Sequence, residues 1–165
     1  MNFKISYAIT AFNDSLNLEE LLKTILSSKR KEDEIVVQVS KGGSNKKVSE
    51  ILKKYKLKKN LFKFTNTTDF KNNLRKLCKG DYIFQLDADE IPADETVLNL
   101  HKIIESNIDI DVFVLPRINI ISNATNEDFE KFNLSVHQHG FIDWPDYQYR
   151  IFKNSFNIKW DGTLG

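Results

Sequence analysis

Residues 80–92 read GDYIFQLDADEIP, an apolar run that stops abruptly at three carboxylates, Asp87, Asp89 and Glu90. A continuous apolar run bounded by turn residues reads as a strand buried on both faces, as in parallel sheets. Just upstream, TDFKNNLRKLCKG has helical spacing and predicts a helix ended by Gly80. Just downstream, ADETVLNLHKIIES predicts another helix, with Asp94 as a candidate cap. Further toward the start, LFKFT is a short strand, KKVSEILKKY an amphipathic helix and EIVVQVS an apolar strand. The chain opens with FKISYAIT as a strand, a break at AFNDS, and LNLEELLKTILSS as a helix that Asp14 or Ser15 can cap. Strands alternating with helices predict an α/β, Rossmann-like fold, a mostly parallel sheet flanked by helices. Beyond about residue 110 the texture changes to DVFVLPRINII, FIDWPDYQYRIF and FNIKW, which predict extra β strands laid across the first half.

The chain has 165 residues with 41% hydrophobic and 28% charged, ordinary for a globular protein, and no repeat or Pro/Gly-rich linker divides it. A single domain over 1–165 is expected. Lys+Arg 24 against Asp+Glu 23 leaves +1, which gives no overall field to recruit nucleic acid or anionic lipid; the local bunch KKYKLKK reads as a solvated helix end. The single cysteine, Cys78, excludes an internal disulfide and a multi-cysteine zinc site and fits a reducing cytoplasm. No basic leader opens the chain and no run approaches the roughly 18 apolar residues of a membrane span, so a cytoplasmic protein without a transmembrane segment is expected.

In a parallel sheet, ligands collect at the carboxyl ends of strands, and Asp87 stands at such an end. Two carboxylates one residue apart at that point, Asp87 and Asp89, can turn toward one oxygen-loving cation, Mn²⁺ or Mg²⁺, and a cation there neutralises a diphosphate leaving group. A plain polar loop is the competing structural reading. A calcium loop is rejected, since Pro92 occupies the position that needs Gly and further acidic ligands are missing. An aspartyl-phosphate phosphatase also places Asp-x-Asp after a strand, though here the motif follows the fourth strand. SKGGSN lacks the Lys-Ser/Thr ending of a P-loop and reads as a turn. His137 and His139 could share a strand face as metal ligands but show no third partner, and His101 reads as structural. The aromatics of 141–152 suit either a sugar site or the core.

Three stretches in order resemble the GT-A fold glycosyltransferases of family 2. ISYAITAFNDSLNLEELLKTIL resembles that family's opening strand, Pro-Ala-Tyr-Asn-Glu loop and helix. The resemblance implies that Thr10, Ala11, Phe12 and Asp14 hold the nucleoside. FKNNLRKLCKGDYIFQLDADE is similar to the family's Ala-Arg-Asn helix, Gly-Asp-Tyr strand and Asp-x-Asp. This implies that Lys71 and Asn72 stand near the nucleotide, with Asp87 on nucleotide and metal and Asp89 on metal. The Asp-Ala-Asp-Glu form, with YRIFKNSFNIKWDG, resembles the branch that includes lipopolysaccharide-core sugar transferases. The chain departs from the family at Gln38, Val39 and Ser40, where Asp-Asp-Gly-Ser is usual, leaving Gln38 or Ser40 to meet a pyrimidine edge. The branch continues past Trp-x-Gly to a His-Glu pair whereas this chain stops at Gly165. A nucleotide-sugar-binding part over about 1–92 and an incomplete acceptor-side part over about 93–165 are therefore expected.

The resemblance implies an inverting transfer from a nucleotide-sugar, a UDP-sugar, to a glycan or lipid-linked saccharide acceptor. Asp146 or Glu90 is the candidate general base. The alternatives are a non-catalytic nucleotide-sugar-binding fragment and the Asp-nucleophile phosphatase.

Overall fold

A computed structural model describes residues 3–13, 15–42, 46–121 and 125–162. The described residues form β1 (Ile5–Ala11), α1 (Ser15–Ser28), β2 (Glu34–Ser40), α2 (Lys46–Lys54), β3 (Lys59–Phe62), α3 (Thr67–Leu77), β4 (Tyr82–Asp87), α4 (Asp94–Ser106), β5 (Val112–Asn119), α5 (Asn126–Lys131) and β6 (Ile142–Lys153). The strands make one mixed sheet in the order β3-β2-β1-β4-β6-β5, parallel from β3 to β4 and antiparallel from β4 to β5. The chain winds outward from β1 to β3 and then returns to lay β4 on the other side of β1. That reversal opens a crevice between the carboxyl ends of β1 and β4.

Alternate side chains of the central strands go to opposite faces, because the pleat has a period of two. Ile5, Tyr7, Ile9 and Ala11 of β1 and Tyr82, Phe84 and Leu86 of β4 pack with Leu18, Leu22, Val48, Leu52, Val97 and Leu100 of α1, α2 and α4. Ala8 and Ile83 face the other way, onto Leu74 of α3 and Phe152 of β6, with Ile158 and Trp160 against them. The sheet is thus covered on both sides.

Gly80 does not end α3. The helix is capped at Cys78, and Gly80 lies where a Cβ would come within 2.6 Å of the Ser6 amide nitrogen, so its small size lets β4 enter beside β1. Asp94 is the first residue of α4 rather than its cap, a place held by Ala93 without a side-chain bond. β3 lies two residues earlier than LFKFT suggests. The late strands do not cross the first half: they extend its sheet from the β4 edge. Only Ile151–Lys153 of β6 pair with β4; the rest of β6 pairs with β5, and Ile142 also bridges to Val136. Because β6 runs antiparallel to β4, this two-stranded arm reaches past the end of β4 and over the acidic turn. His101 is structural, as expected: it is buried and 2.9 Å from the equally buried Asp33, which also accepts the Ile5 amide. None of the described helices is long and apolar enough to cross a membrane.

Candidate active site

The crevice between β1 and β4 is where the strand pattern delivers its polar residues. Thr10 and Asp87 are direct partners in the parallel register, each at the end of its strand on the face that carries α3. The Thr10 hydroxyl donates to Asp87 Oδ1. Asp87 Oδ2 faces two cations, Lys71 Nζ of α3 and Arg150 Nη2 of β6, each at 3.5 Å. A cleft of about 280 Å³ opens here, lined by Thr10, Phe12, Phe64, Phe70, Lys71, Asp87 and Asp89 among others. One end is aromatic: the Phe12 ring stacks on Phe70 at 5.2 Å and meets Phe64 edge-on at 5.1 Å. The other end is ionic.

The turn after β4 is built by Glu90. Its amide bonds to the Asp87 carbonyl, and its Oε2 accepts the Asp87 amide in return at 3.1 Å. Its Oε1 accepts from Arg150 and from Arg117 Nη1, the latter at 3.1 Å. Arg117 reaches on to Asp146, with Nε at 2.8 Å and Nη2 at 2.7 Å from Oδ2. Asn119 also donates to that oxygen, and Gln148 donates to Oδ1. Burial by itself would raise the Asp146 carboxyl, but the bonds from Asn119, Gln148 and Arg117 outweigh it and hold it below the usual carboxylate range. Both expected general bases are therefore tied to arginines of the arm. Asp89, exposed, makes no hydrogen bond or ion pair with the described residues and lines both this cleft and a cavity of about 770 Å³ on the far side of the turn.

The donor set of Asp87 and Asp89 is all oxygen and hard, in keeping with Mn²⁺ or Mg²⁺. Asp87 Oδ2 meets its two cations at 3.5 Å and Asp89 has no partner among the described residues, so both have coordination to offer. No group of three or more His, Cys, Asp or Glu among the described residues is placed to hold a metal. His137 and His139 have rings 5.3 Å apart on a turn and gain no third ligand there among the described residues.

The other expected nucleotide contacts divide. Ala11 is buried in the core at the end of β1. Gln38 is wholly buried, its amide donating to the Phe70 carbonyl at 2.7 Å and its oxygen accepting from Asn73 at 2.6 Å, so it is spent inside the protein rather than turned to the cleft. Ser40 closes β2 and is engaged within the protein. Asn72 holds the backbone of Trp160, accepting its N–H at 3.0 Å and donating to its carbonyl at 2.8 Å. Asp14 lies outside the described residues. Sequence reasoning assigned no role to Arg117, Arg150 or Trp160: the two arginines lie within strands that otherwise read as core, and FNIKW, read as a strand, follows β6 outside any strand and ends at Trp160.

The family model for Glycosyl transferase family 2 matches residues 6–159. No match is found among curated proteins. Among solved structures, the chain is similar to a mannosyltransferase, PcManGT, from Pyrobaculum calidifontis in complex with GDP-Man and Mn²⁺, at 17% identity and TM-score 0.59, over 93% of this chain and 45% of that one. It is similar to TarS 1–349 of S. aureus at 18% identity and TM-score 0.58, over 93% and 47%. A cytidylyltransferase from Leptospira borgpetersenii follows at 17% identity and TM-score 0.55, over 93% and 61%. At these identities the likeness is one of fold, and the chain spans less than half the length of the PcManGT and TarS structures.

Proposed function

The chain belongs to glycosyl transferase family 2, and from that premise we propose that it is a metal-dependent, inverting glycosyltransferase. Its donor is a nucleotide-sugar, a UDP-sugar, and its acceptor a hydroxyl of a glycan or lipid-linked saccharide, as in the lipopolysaccharide-core branch that the Asp-Ala-Asp-Glu turn resembles. One observation carries the reading: Thr10 and Asp87 meet at the point where the sheet reverses its winding, with Asp89 and Lys71 on the same cleft. The neighbours solved with UDP-GlcNAc and with GDP-Man and Mn²⁺ are in keeping with such ligands.

In this reading the nucleoside lies toward Phe12 and Phe64, whose partly exposed rings offer a stacking face. The diphosphate lies toward Lys71 and Arg150. Asp87 and Asp89 would hold Mn²⁺ or Mg²⁺, which when bound supplies charge neutralisation for the departing diphosphate. Lys71 and Arg150 add fixed positive charge at the same place, where little water screens it. Glu90, enclosed by two arginines, positions the turn rather than moving a proton. Asp146 takes the acceptor's proton once the acceptor's own polar groups relieve it of Arg117, since a carboxylate held below its usual range is otherwise a weak base.

A second reading, a nucleotide-sugar-binding module without turnover, is favoured by the arginine that holds both candidate general bases, Asp146 and Glu90. Donor turnover with Mn²⁺, followed as UDP release from UDP-sugars in the wild type and in Asp89→Ala, separates the two. Metal-dependent release lost in the variant supports the transferase. Binding without release supports the module.

A further inference from the structure

The segment after β6 is fastened to α3 and to the turn that follows it, and the bonds flank one residue. Asn154 donates to the Cys78 and Gly80 carbonyls, Arg75 to the Ser155 carbonyl, and Thr68 to the Gly162 carbonyl. Between them, Asn72 grips both the N–H and the C=O of Trp160, as a neighbouring strand would. The Trp160 indole N–H donates at 2.9 Å to Gln85, a fully buried residue of β4, and the ring packs edge-on against Phe152. Backbone and ring of Trp160 are thereby both fixed. The Lys71 ammonium then sits 4.8 Å from the centre of that ring and 3.5 Å from Asp87 Oδ2, with its side chain only 11% exposed.

We infer that Asn72 and Trp160 are positioning residues that hold the Lys71 ammonium at the ionic end of the cleft, facing the site of a diphosphate. A lysine stem is long and flexible, and a single carboxylate at 3.5 Å does not choose one rotamer for it. A ring face on one side and a carboxylate on the other do. This also gives a reason for Lys rather than Arg at 71: a compact ammonium fits between an indole and an acid where a planar fork would need more room. The choice of ligand rests on the proposed donor; the clasp itself does not.

Two measurements test it. In the ligand-free protein, NMR should place the Lys71 ε-methylene protons upfield of those of the other lysines, because they lie over an aromatic face. The displacement should vanish in Trp160→Leu and persist in Trp160→Phe. A Lys71 signal among the ordinary lysines in the wild type overturns the clasp whatever the ligand is. Calorimetry with Mn²⁺ then compares UDP with uridine. Trp160→Leu should weaken UDP by about three- to tenfold and leave uridine unchanged. Trp160→Phe should stay within about twofold of wild type, and Asn72→Ala, which keeps the ring, should lie between. In a Lys71→Met background, Trp160→Leu should cost no further affinity. Equal loss for UDP and uridine, or additive losses in the double variant, assigns Trp160 a purely structural role and overturns the inference. If UDP does not bind the wild type, the donor reading fails and the NMR result alone decides the clasp.

Discussion

Replacing Glu90 by Gln probes the residue on which the acidic turn depends. Glu90 is 13% exposed and accepts from Arg150, itself 6% exposed, from Arg117, and from the amide of Asp87. Removing one member of a buried pair costs about 3–5 kcal/mol when the other charge is stranded. Arg150 is not wholly stranded, since Asp87 Oδ2 remains 3.5 Å away, and the Gln oxygen still accepts a hydrogen bond. The Arg117 contact adds little, since its side chain is 40% exposed and such pairs contribute under about 1 kcal/mol. Glu90→Gln should therefore destabilise by about 2–3 kcal/mol, seen as a lower denaturant midpoint at unchanged slope. The melting point should fall by about 5–10 °C at this chain length. Arg150 is left with Asp87 as its acid and competes there with a cation, so Mn²⁺-supported UDP binding should weaken by about tenfold. A variant within about 0.5 kcal/mol of wild type, with unchanged UDP affinity, refutes the claim that Glu90 organises the turn.

Three further outcomes follow from the same structure. Gly80→Ala places a methyl 2.6 Å from the Ser6 nitrogen and 2.9 Å from the Ile5 carbonyl carbon, backbone atoms of a central strand; urea denaturation should show a loss of about 1–3 kcal/mol. Asp146 has a folded-state pKa below its ordinary 3.8, so its contribution to stability is present above that value and is lost as pH falls through the folded pKa. The stability gap between wild type and Asp146→Asn should thus be constant near neutrality and close in acid, and a gap that persists unchanged down to about pH 2 contradicts the bonding described. Burial, with a smaller push from the Glu34 charge, raises the Cys78 thiol to about 12, so the native protein should resist alkylation at pH 8 and react fully in denaturant.

The parallel half was legible because its signals are local. Apolar runs such as YIFQL and helices with Leu and Ile at three- and four-residue spacing repeat the strand-helix alternation that forces a sheet covered on both faces. Gly80 misled because a glycine after a helix commonly marks its end, whereas here it answers to a contact with β1, more than seventy residues earlier, which spacing does not reveal. α5 was missed although Thr125 and Asp128 form a reciprocal capping box, since six residues carry too little periodicity to register. The acidic turn itself could be read from Asp87 and Asp89, but its counter-charges could not. Arg117 and Arg150 arrive on an antiparallel arm whose position depends on pairing with β4 through Ile151–Lys153, a long-range register. Gln38 and Asn72 show the same limit: a polar residue placed by likeness near a nucleotide is, in the fold, bonded to Asn73 and the Phe70 carbonyl, or to Trp160.

The central claim is that Asp87 and Asp89 share a divalent cation beneath a nucleoside diphosphate. Calorimetric titration of UDP into the wild type and Asp89→Ala, each with Mn²⁺ and with EDTA, tests it most directly. Binding to the wild type that needs Mn²⁺ and is lost in the variant is the predicted result; UDP affinity equal with and without metal, or equal in the two proteins, contradicts it.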